Sequence, residues 1–416
     1  MSGKGIAVVG IGEDGLDGLS PVLRKLVEAA DVLVGGERHL AKVPTDGRRR
    51  IDWSGGFEAV FDEIEKHLER PGGQKIVVLA SGDPLNFGVG AKVVRRFGID
   101  AVSIFPAPGA FSLCAARMGW PLADARCLTV HGRALDAVHL HLAPGQRLLI
   151  LSWDGETPGK LAQLLTGRGF GPSKMTVLAN MSNGGGGDET RADGIAETWN
   201  KGASPDLNAV AVECVAGKDA DVAAWTRVPG LPEEVFEHDG LITKREVRAA
   251  TLARLMPLPG QALWDVGAGS GAIGIEWLRA EPAAMAWAVE RDPARAAVIA
   301  RNAENLGVPE LKIIEGEAPG ALSDIETTPD AVFLGGGVSV SGLLGACWQA
   351  LNPGGRLVAN AVTIEAEQRL LAFQNECGGD LTRLAISRAH PIGGPVGTRT
   401  TFRPFKQVTQ LAAVKK

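Results

Sequence analysis

WDVGAGSGAIGIEW, residues Trp264 to Trp277, is an apolar run that breaks at Asp265 into three glycines spaced every second residue. Ahead of it, QALWDV has the make-up of a short buried strand; behind it, AIGIEWLRA places apolar residues at helical spacing. The glycines therefore fall in a strand-to-helix turn, a local design that brings backbone against a nucleotide. Gly267, Gly269 and Gly271 answer three needs there: a tight bend, close approach of the backbone to a ligand, and close packing of helix on strand. Residues 269–274 also match GxGxxG, so the pattern by itself leaves a nicotinamide dinucleotide and another adenosine cofactor both open. The flanks narrow the choice. Asp265, at the carboxyl end of the strand, is expected to put a carboxylate near the cofactor, repelling a pyrophosphate and attracting a cationic sulfonium. Nineteen residues beyond Gly271 the run MAWAVE ends in Glu290, suited to accept from both ribose hydroxyls.

LKIIEGEAP, PDAVFLGG and LNPGGRLVAN continue the series of strand ends with acidic or glycine-rich turns. On these motifs the chain from about Phe236 onward resembles the class I, Rossmann-like S-adenosylmethionine (SAM) methyltransferases. It has no tyrosine, which rules out the Tyr-Lys pair of short-chain dehydrogenases. Within that fold, DGLITKREVR, DVGAGSG, ERDPARAAVIARNAENLGV and EGEAP are similar to the decarboxylating corrin methyltransferases. The resemblance implies a helix beginning at Thr243 and SAM contacts from Thr243, Gly267, Ala268, Gly269, Ser270, Gly271, Glu290, Glu317 and Ala318. Glu317 stands where that family usually carries Asp.

The amino-terminal part repeats the strand–turn–helix theme. GIAVVGI runs into Gly12, and LSPVLRKLVEAAD has helical spacing introduced by Ser20 as cap and Pro21 in the first turn. DVLVGGERHL, FEAVFDEIEKHLER and KIVVLASGDPLNFGVG extend a parallel α/β pattern, whose ligands sit at the carboxyl ends of strands. Gly10, Gly12, Ser81, Gly82 and Asp83 all lie at such ends. VVGIGEDGLDGLS, SGDPLNFGVG, PAPGAFSLCAARMGWP and HGR, in that order, resemble the tetrapyrrole methylase family, the class III SAM methyltransferases. That family's fold implies two α/β lobes, here about 1–106 and 109–215.

Length and composition agree with two or three soluble domains: 416 residues, 45% hydrophobic and 22% charged. The expected organisation is a tetrapyrrole methylase domain over 1–215, a proline-broken linker over 216–234, and a Rossmann-like domain over 235–416. SNGGGGDETRADG, residues 182–194, reads as a flexible loop, a lid or inert surface, with inert surface favoured. A net charge of -5 and a pI near 5.9 argue against general nucleic-acid binding. Five cysteines without a CxxC pair suggest neither a disulfide framework nor a metal site. No apolar run approaches the roughly 18 residues of a membrane helix, and a cytoplasmic homo-oligomer is the expectation.

The two resemblances together imply a reduced tetrapyrrole substrate with acetate and propionate arms, methylated on two bridging carbons and decarboxylated at the ring C acetate. Arg133, Thr363, Glu365 and Arg388 are candidates for contact with it. Thr363 and Glu365 equally suit the start of an ordinary helix, and the segment holding Arg388 an ordinary hairpin. No residue is singled out as catalytic, because an electron-rich carbon attacking a sulfonium methyl needs positioning more than a base. His131 and the run Arg48–Arg50 are weaker candidates, read first as a turn residue and a solvated face. Methylation of RNA or another small molecule, and a corrin-binding carrier without activity, are the competing readings.

Overall fold

The computed structural model describes residues 5–184, 188–218, 220, 226–393 and 399–416. By contacts the chain divides into two compact units, Met1–Arg133 with Ala143–Ala220, and Ala134–Leu142 with Asp221–Lys416.

The first unit holds two sheets. Strands β1 (Ile6–Ile11), β2 (Val32–Val34), β3 (Arg49–Ile51), β4 (Ile76–Ser81) and β5 (Val102–Phe105) pair in the order β3-β2-β4-β1-β5, all parallel. Their near-continuous apolar runs follow from burial on both faces, with Val8, Val9, Val32, Leu33 and Val78 fully enclosed. The helix Pro21–Glu28 begins as its sequence demands, Ser20 Oγ accepting from the Leu23 amide at 3.4 Å with Pro21 at the first helical position. After Pro106–Gly109 the helix Ala110–Met118 packs its Phe111 and Cys114 on the second sheet. That sheet joins β6 (Ala125–Thr129), β7 (Arg147–Leu151), β8 (Lys174–Ala179), β9 (Thr190–Ile195) and β10 (Asn208–Glu213) in the order β6-β7-β10-β8-β9. Only β6 and β7 run parallel.

Strand β9 corrects the loop expected over 182–194. TRADGI carries too little apolar character to read as a strand, because it is an edge whose polar side chains face outward or pair locally. Thr176 Oγ donates to Asp193 at 2.7 Å, and Arg191 pairs with the same carboxylate. Gly185, Gly186 and Gly187 of that loop lie outside the described residues.

The second unit is built on β11 (Ala262–Val266), β12 (Met285–Glu290), β13 (Lys312–Glu315), β14 (Ala331–Leu334), β15 (Arg356–Ala361), β16 (Asp380–Leu384) and β19 (Val408–Val414). Their order is β13-β12-β11-β14-β15-β19-β16, parallel up to β15 and antiparallel across β19. The chain winds outward through β12 and β13, then returns to the far side of β11 through β14. A crevice therefore opens at the carboxyl ends of β11 and β14, where such sheets take ligands. Strands β17 (Ser387–Ile392) and β18 (Arg399–Pro404) form a separate hairpin; Gly394 to Thr398 at its tip lie outside the described residues.

Two segments join this unit from stretches read differently in the sequence. Leu231 and Glu233, placed in the linker, are buried, Leu231 within the core. Ala134–Leu142, between β6 and β7 in the chain, packs on the helix Pro293–Asn305. His139 Nδ1 donates to the Glu304 carbonyl at 3.1 Å, Arg227 donates to the Leu140 carbonyl at 3.3 Å, and Leu140 enters the core. Gly307 (φ +78°) lies beneath this segment: a Cβ there would stand 2.8 Å from the Leu140 nitrogen and 2.9 Å from His139 Cβ.

Gly307→Ala is therefore expected to destabilise the second unit by more than Gly260→Ala, whose φ of +76° is alike but whose Cβ would meet nothing within 4 Å. The control isolates the left-handed backbone cost of about 1 kcal/mol, and contact with the segment adds roughly 1–3 kcal/mol. Thermal melting of the two variants checks the difference, and equal losses would mean that Ala134–Leu142 is only loosely seated.

Candidate functional site

At the end of β11 the three glycines divide the work by geometry. All have left-handed backbones, φ +72°, +61° and +76° at Gly267, Gly269 and Gly271. A Cβ on Gly271 would stand 2.7 Å from Ile299, so this position serves helix packing. A Cβ on Gly267 would stand 3.6 Å from the Gly336 backbone, in the glycine turn that follows β14, so this position forms the crevice itself. A Cβ on Gly269 would meet only the Leu241 carbonyl, at 3.9 Å, which leaves this backbone open to a ligand. Ala268 donates to the Val289 carbonyl at 3.1 Å, and the Ser270 carbonyl accepts from Asn302 at 3.0 Å.

Glu290 ends β12, only 5% exposed. One of its oxygens accepts from the Gly269 amide at 2.8 Å and the other from the Asp292 amide at 3.1 Å. Each carboxylate oxygen accepts two hydrogen bonds, so both keep a lone pair for further donors. Asp265 departs from expectation. Its side chain turns beneath the next helix, where Oδ2 accepts from the Gly274 amide at 2.9 Å, and the residue is 1% exposed. It therefore presents no carboxylate to the crevice. Burial, with Glu290 nearby, pushes its pKa up to about 7 despite the bond from Gly274.

Thr243 lies two residues before the helix Arg245–Leu255, for which Lys244 is the cap, so the helix begins slightly later than the resemblance implies. The Thr243 carbonyl accepts from Arg248, which also donates to the Leu231 carbonyl and, at 3.0 Å, to Glu276. Glu317, at the turn after β13, is exposed and pairs with Arg291 at 3.4 Å, and Ala318 packs against the core. Together these residues fit an adenosine cofactor: an open glycine backbone, a carboxylate with free lone pairs beside it, and no side chain between.

The substrate candidates of this unit have structural duties. Thr363 caps the helix Ile364–Cys377, its Oγ accepting from the Ala366 amide at 3.3 Å, and Glu365 is exposed in the first turn of that helix. Arg388 is engaged on every side. It donates to both oxygens of Glu233 at 2.9 and 3.0 Å and to both of Glu246 at 2.7 and 3.2 Å, with its guanidinium over the Phe405 ring. Burial pushes Glu233 upward, but Arg388 and the Arg245 amide outweigh it and hold that carboxyl at about 2. The guanidinium fastens the hairpin to the body of the unit and has no free edge to offer a ligand.

In the first unit, the turns after β1, β4 and β5 converge. A Cβ on Gly10 would fall 1.9 Å from the Gly82 carbonyl, and one on Gly82 (φ +51°) would fall 2.6 Å from Gly109 Cα. These two glycines thus let three backbones meet, whereas a Cβ on Gly12 would meet only Asp14, at 3.9 Å. Asp83 closes its turn by accepting from the Leu85 amide at 3.0 Å. Ser81 Oγ lies 2.8 Å from His39 Nε2 and accepts from Arg38 at 3.0 Å; Arg38 and Lys42 both pair with Glu13. Burial, then the positive charge of Arg38, lowers the His39 pKa to about 4, so this imidazole is neutral at physiological pH. The sequence reading missed His39, although it stands in the short helix Glu37–Leu40 just beyond β2, near the carboxyl end of a strand as Ser81 ends β4. Arg48 and Arg50 donate to the Val27 and Leu40 carbonyls, at 2.6 and 2.7 Å, and Arg49 pairs with Glu63. The run is a set of internal clamps. Arg133 and His131 are exposed at the turn after β6. Among the described residues no group of three or more His, Cys, Asp or Glu could hold a metal, and no helix is long and apolar enough to cross a membrane.

Two family models match the chain: tetrapyrrole (corrin/porphyrin) methylases over residues 5–191, and the precorrin methyltransferase domain over 234–415. A Sinorhizobium sp. precorrin-6Y C(5,15)-methyltransferase [decarboxylating] is 45% identical over 99% of this chain and 96% of its own. Two shorter relatives match less of it. A probable cobalt-precorrin-6B C(15)-methyltransferase (decarboxylating) of Saccharolobus solfataricus is 33% identical over 36% of this chain and 78% of its own. A cobalt-precorrin-7 C(5)-methyltransferase of Salmonella typhimurium is 32% identical over 42% and 85%.

The buried Asp265 makes a pH test of the site's construction. Its pKa is raised from 3.8 to about 7, so the folded state holds a proton that the unfolded state releases between those values. Stability then declines as pH rises through that window, by up to about 4 kcal/mol at roughly 1.4 kcal/mol per unit. Asp265→Asn is expected to remove this decline between pH 4 and 7. Denaturant titrations across the range measure it, and an unchanged slope in the variant would place the proton elsewhere.

Proposed function

We propose, because the chain belongs to the precorrin-6Y C(5,15)-methyltransferase (decarboxylating) family, that it transfers two methyl groups from SAM to precorrin-6Y in cobalamin biosynthesis. The methyls go to carbons 5 and 15, and the ring C acetate leaves as carbon dioxide, giving precorrin-8X. The first unit acts at carbon 5; the second acts at carbon 15 and decarboxylates. The observation that carries this reading is the pair of glycine-built strand-end sites, of unlike topology, in one chain. One is the open turn at Gly269 beside Glu290, and the other is the meeting of the turns that carry Gly10, Gly12, Ser81, Gly82 and Asp83.

SAM, when bound, supplies an electrophilic methyl. What the second unit supplies is position: the Gly269 backbone admits the nucleoside, Glu290 accepts from the ribose hydroxyls through its spare lone pairs, and the Glu317–Ala318 turn borders the base. The bridging carbons of a reduced tetrapyrrole are enamine-like nucleophiles, so no general base is required of the chain. In the first unit the neutral His39 with Ser81 offers a hydrogen-bonding edge beside the cofactor turn, and Arg133 a cation for substrate carboxylates. Loss of carbon dioxide leaves electrons that the conjugated macrocycle accepts, and a water-poor crevice raises the energy of the carboxylate beforehand.

Gly269→Val tests the division of labour. The branched side chain would fill the open cradle and resist a φ of +61°. With metal-free substrate, mass spectrometry of the wild-type product is expected to show two added methyls and loss of carbon dioxide. The variant product should carry one methyl and keep its acetate. Undiminished double methylation by the variant would refute the assignment of this pocket, and turnover only of cobalt-containing substrate would correct the substrate.

A further inference from the structure

Three turns of the first unit, each following the carboxyl end of a strand, present rings and cations to solvent in one connected series. After β4, Phe87 is 52% exposed yet has φ +58°, a left-handed backbone that a bulky residue adopts only under constraint. Burial does not repay that strain. The ring is instead held in place, edge-on to Phe111 with centroids 6.0 Å apart and with the Arg133 guanidinium 5.4 Å from its own centroid. Arg133 belongs to the turn after β6, where Gly132 (φ +71°) separates it from His131. The His131 ring lies 5.8 Å from that of Trp153, tilted 33° from its plane, and Trp153 follows β7 with 56% of its surface exposed. The Trp153 amide donates to Thr157 Oγ at 3.1 Å, which fixes its place at the start of the next helix.

Exposed aromatic faces are costly in water and attract flat conjugated surfaces, while a guanidinium and an imidazole beside them attract carboxylates. We propose that Phe87 and Trp153 form a shelf for the macrocycle plane during methylation at carbon 5, with Arg133 and His131 receiving its carboxylate arms. This rests on the reading that the first unit works on a polycarboxylate tetrapyrrole. It adds the residues that fix how the macrocycle lies, and it explains why a strained Phe87 is kept at the surface: Phe111 and Arg133 hold its ring ready for a ligand. These are positioning residues, and none takes part in bond making.

The test uses the full chain, metal-free substrate, and the carbon 15 methylation with decarboxylation as an internal control. Trp153→Leu and Phe87→Gly are each expected to raise KM for the tetrapyrrole at carbon 5 by roughly tenfold, the scale of one lost stacking contact. SAM affinity and the carbon 15 reaction should stay within about twofold, and Trp153→Phe, which keeps a ring, should recover most of the loss. Phe87→Gly relieves the left-handed backbone, so it is expected to leave the melting temperature unlowered while still raising KM, a split that a merely structural role would not give. Variants with unchanged KM at carbon 5 would overturn the shelf alone. Weakened SAM binding instead would overturn it by showing that the rings stack on the cofactor. A wild-type chain that transfers no methyl to carbon 5 would defeat the reading of the first unit, and the shelf with it.

Discussion

Arg248 and Glu276 form an ion pair 3.0 Å long in the core of the second unit, at 0% and 1% exposure, and the wall beside the glycine turn is built on it. Two charges this deep persist only if every lone pair and proton finds a partner. Arg248 therefore also donates to the Thr243 and Leu231 carbonyls, and Glu276 accepts from the Gly230 and Leu231 amides at 2.8 and 3.0 Å. Glu276 sits on the helix that follows the glycine turn. The pair thereby ties that helix to Thr243 and, two residues upstream, to Leu241, whose carbonyl is the nearest atom to the open face of Gly269. Asn302, fully buried, fastens the same wall from the other side. Its side chain bonds both backbone groups of Glu237 and the carbonyl of Ser270. The width of the cradle is thus fixed by buried polar contacts, which hold geometry more sharply than an apolar contact can.

What was legible in the sequence is what local physics dictates. WDVGAGSG reads correctly as a strand-to-helix glycine turn because left-handed backbone positions at Gly267, Gly269 and Gly271 are needs of the turn itself. Buried parallel strands announce themselves as apolar runs, and Ser20 and Asp292 cap their helices as their residue types predict. Long-range pairing was not legible. Nothing near Arg388 in the chain signals that Glu233, 155 residues away, will occupy its guanidinium. Nor does the stretch around His139 signal its bond to Glu304. Asp265 shows a subtler limit. Its position at the strand end was readable, but the direction of its side chain is set by the Gly274 amide across the turn.

The two glycine sites use the same residue for different ends. In the second unit, one glycine of three is left open and the others pack; in the first, Gly10 and Gly82 are consumed by backbones meeting each other, and Gly12 lies beside Asp14. The first unit therefore offers less open backbone at its strand ends than the second, and more side chains. That agrees with where its rings and cations gather: Arg38, His39, Ser81, Phe87, His131, Arg133 and Trp153 all stand at or just beyond carboxyl ends.

The central claim, that one chain carries two independent SAM sites, is tested most directly by calorimetric titration of the intact protein with S-adenosylhomocysteine. The account predicts two molecules bound per chain. Glu290→Ala should weaken one of the two by roughly ten- to a hundredfold, the loss of about 1.5–3 kcal/mol of charge-assisted hydrogen bonding, and leave the other untouched. A single molecule bound per chain, or loss of both sites in Glu290→Ala while the protein remains folded, would contradict it.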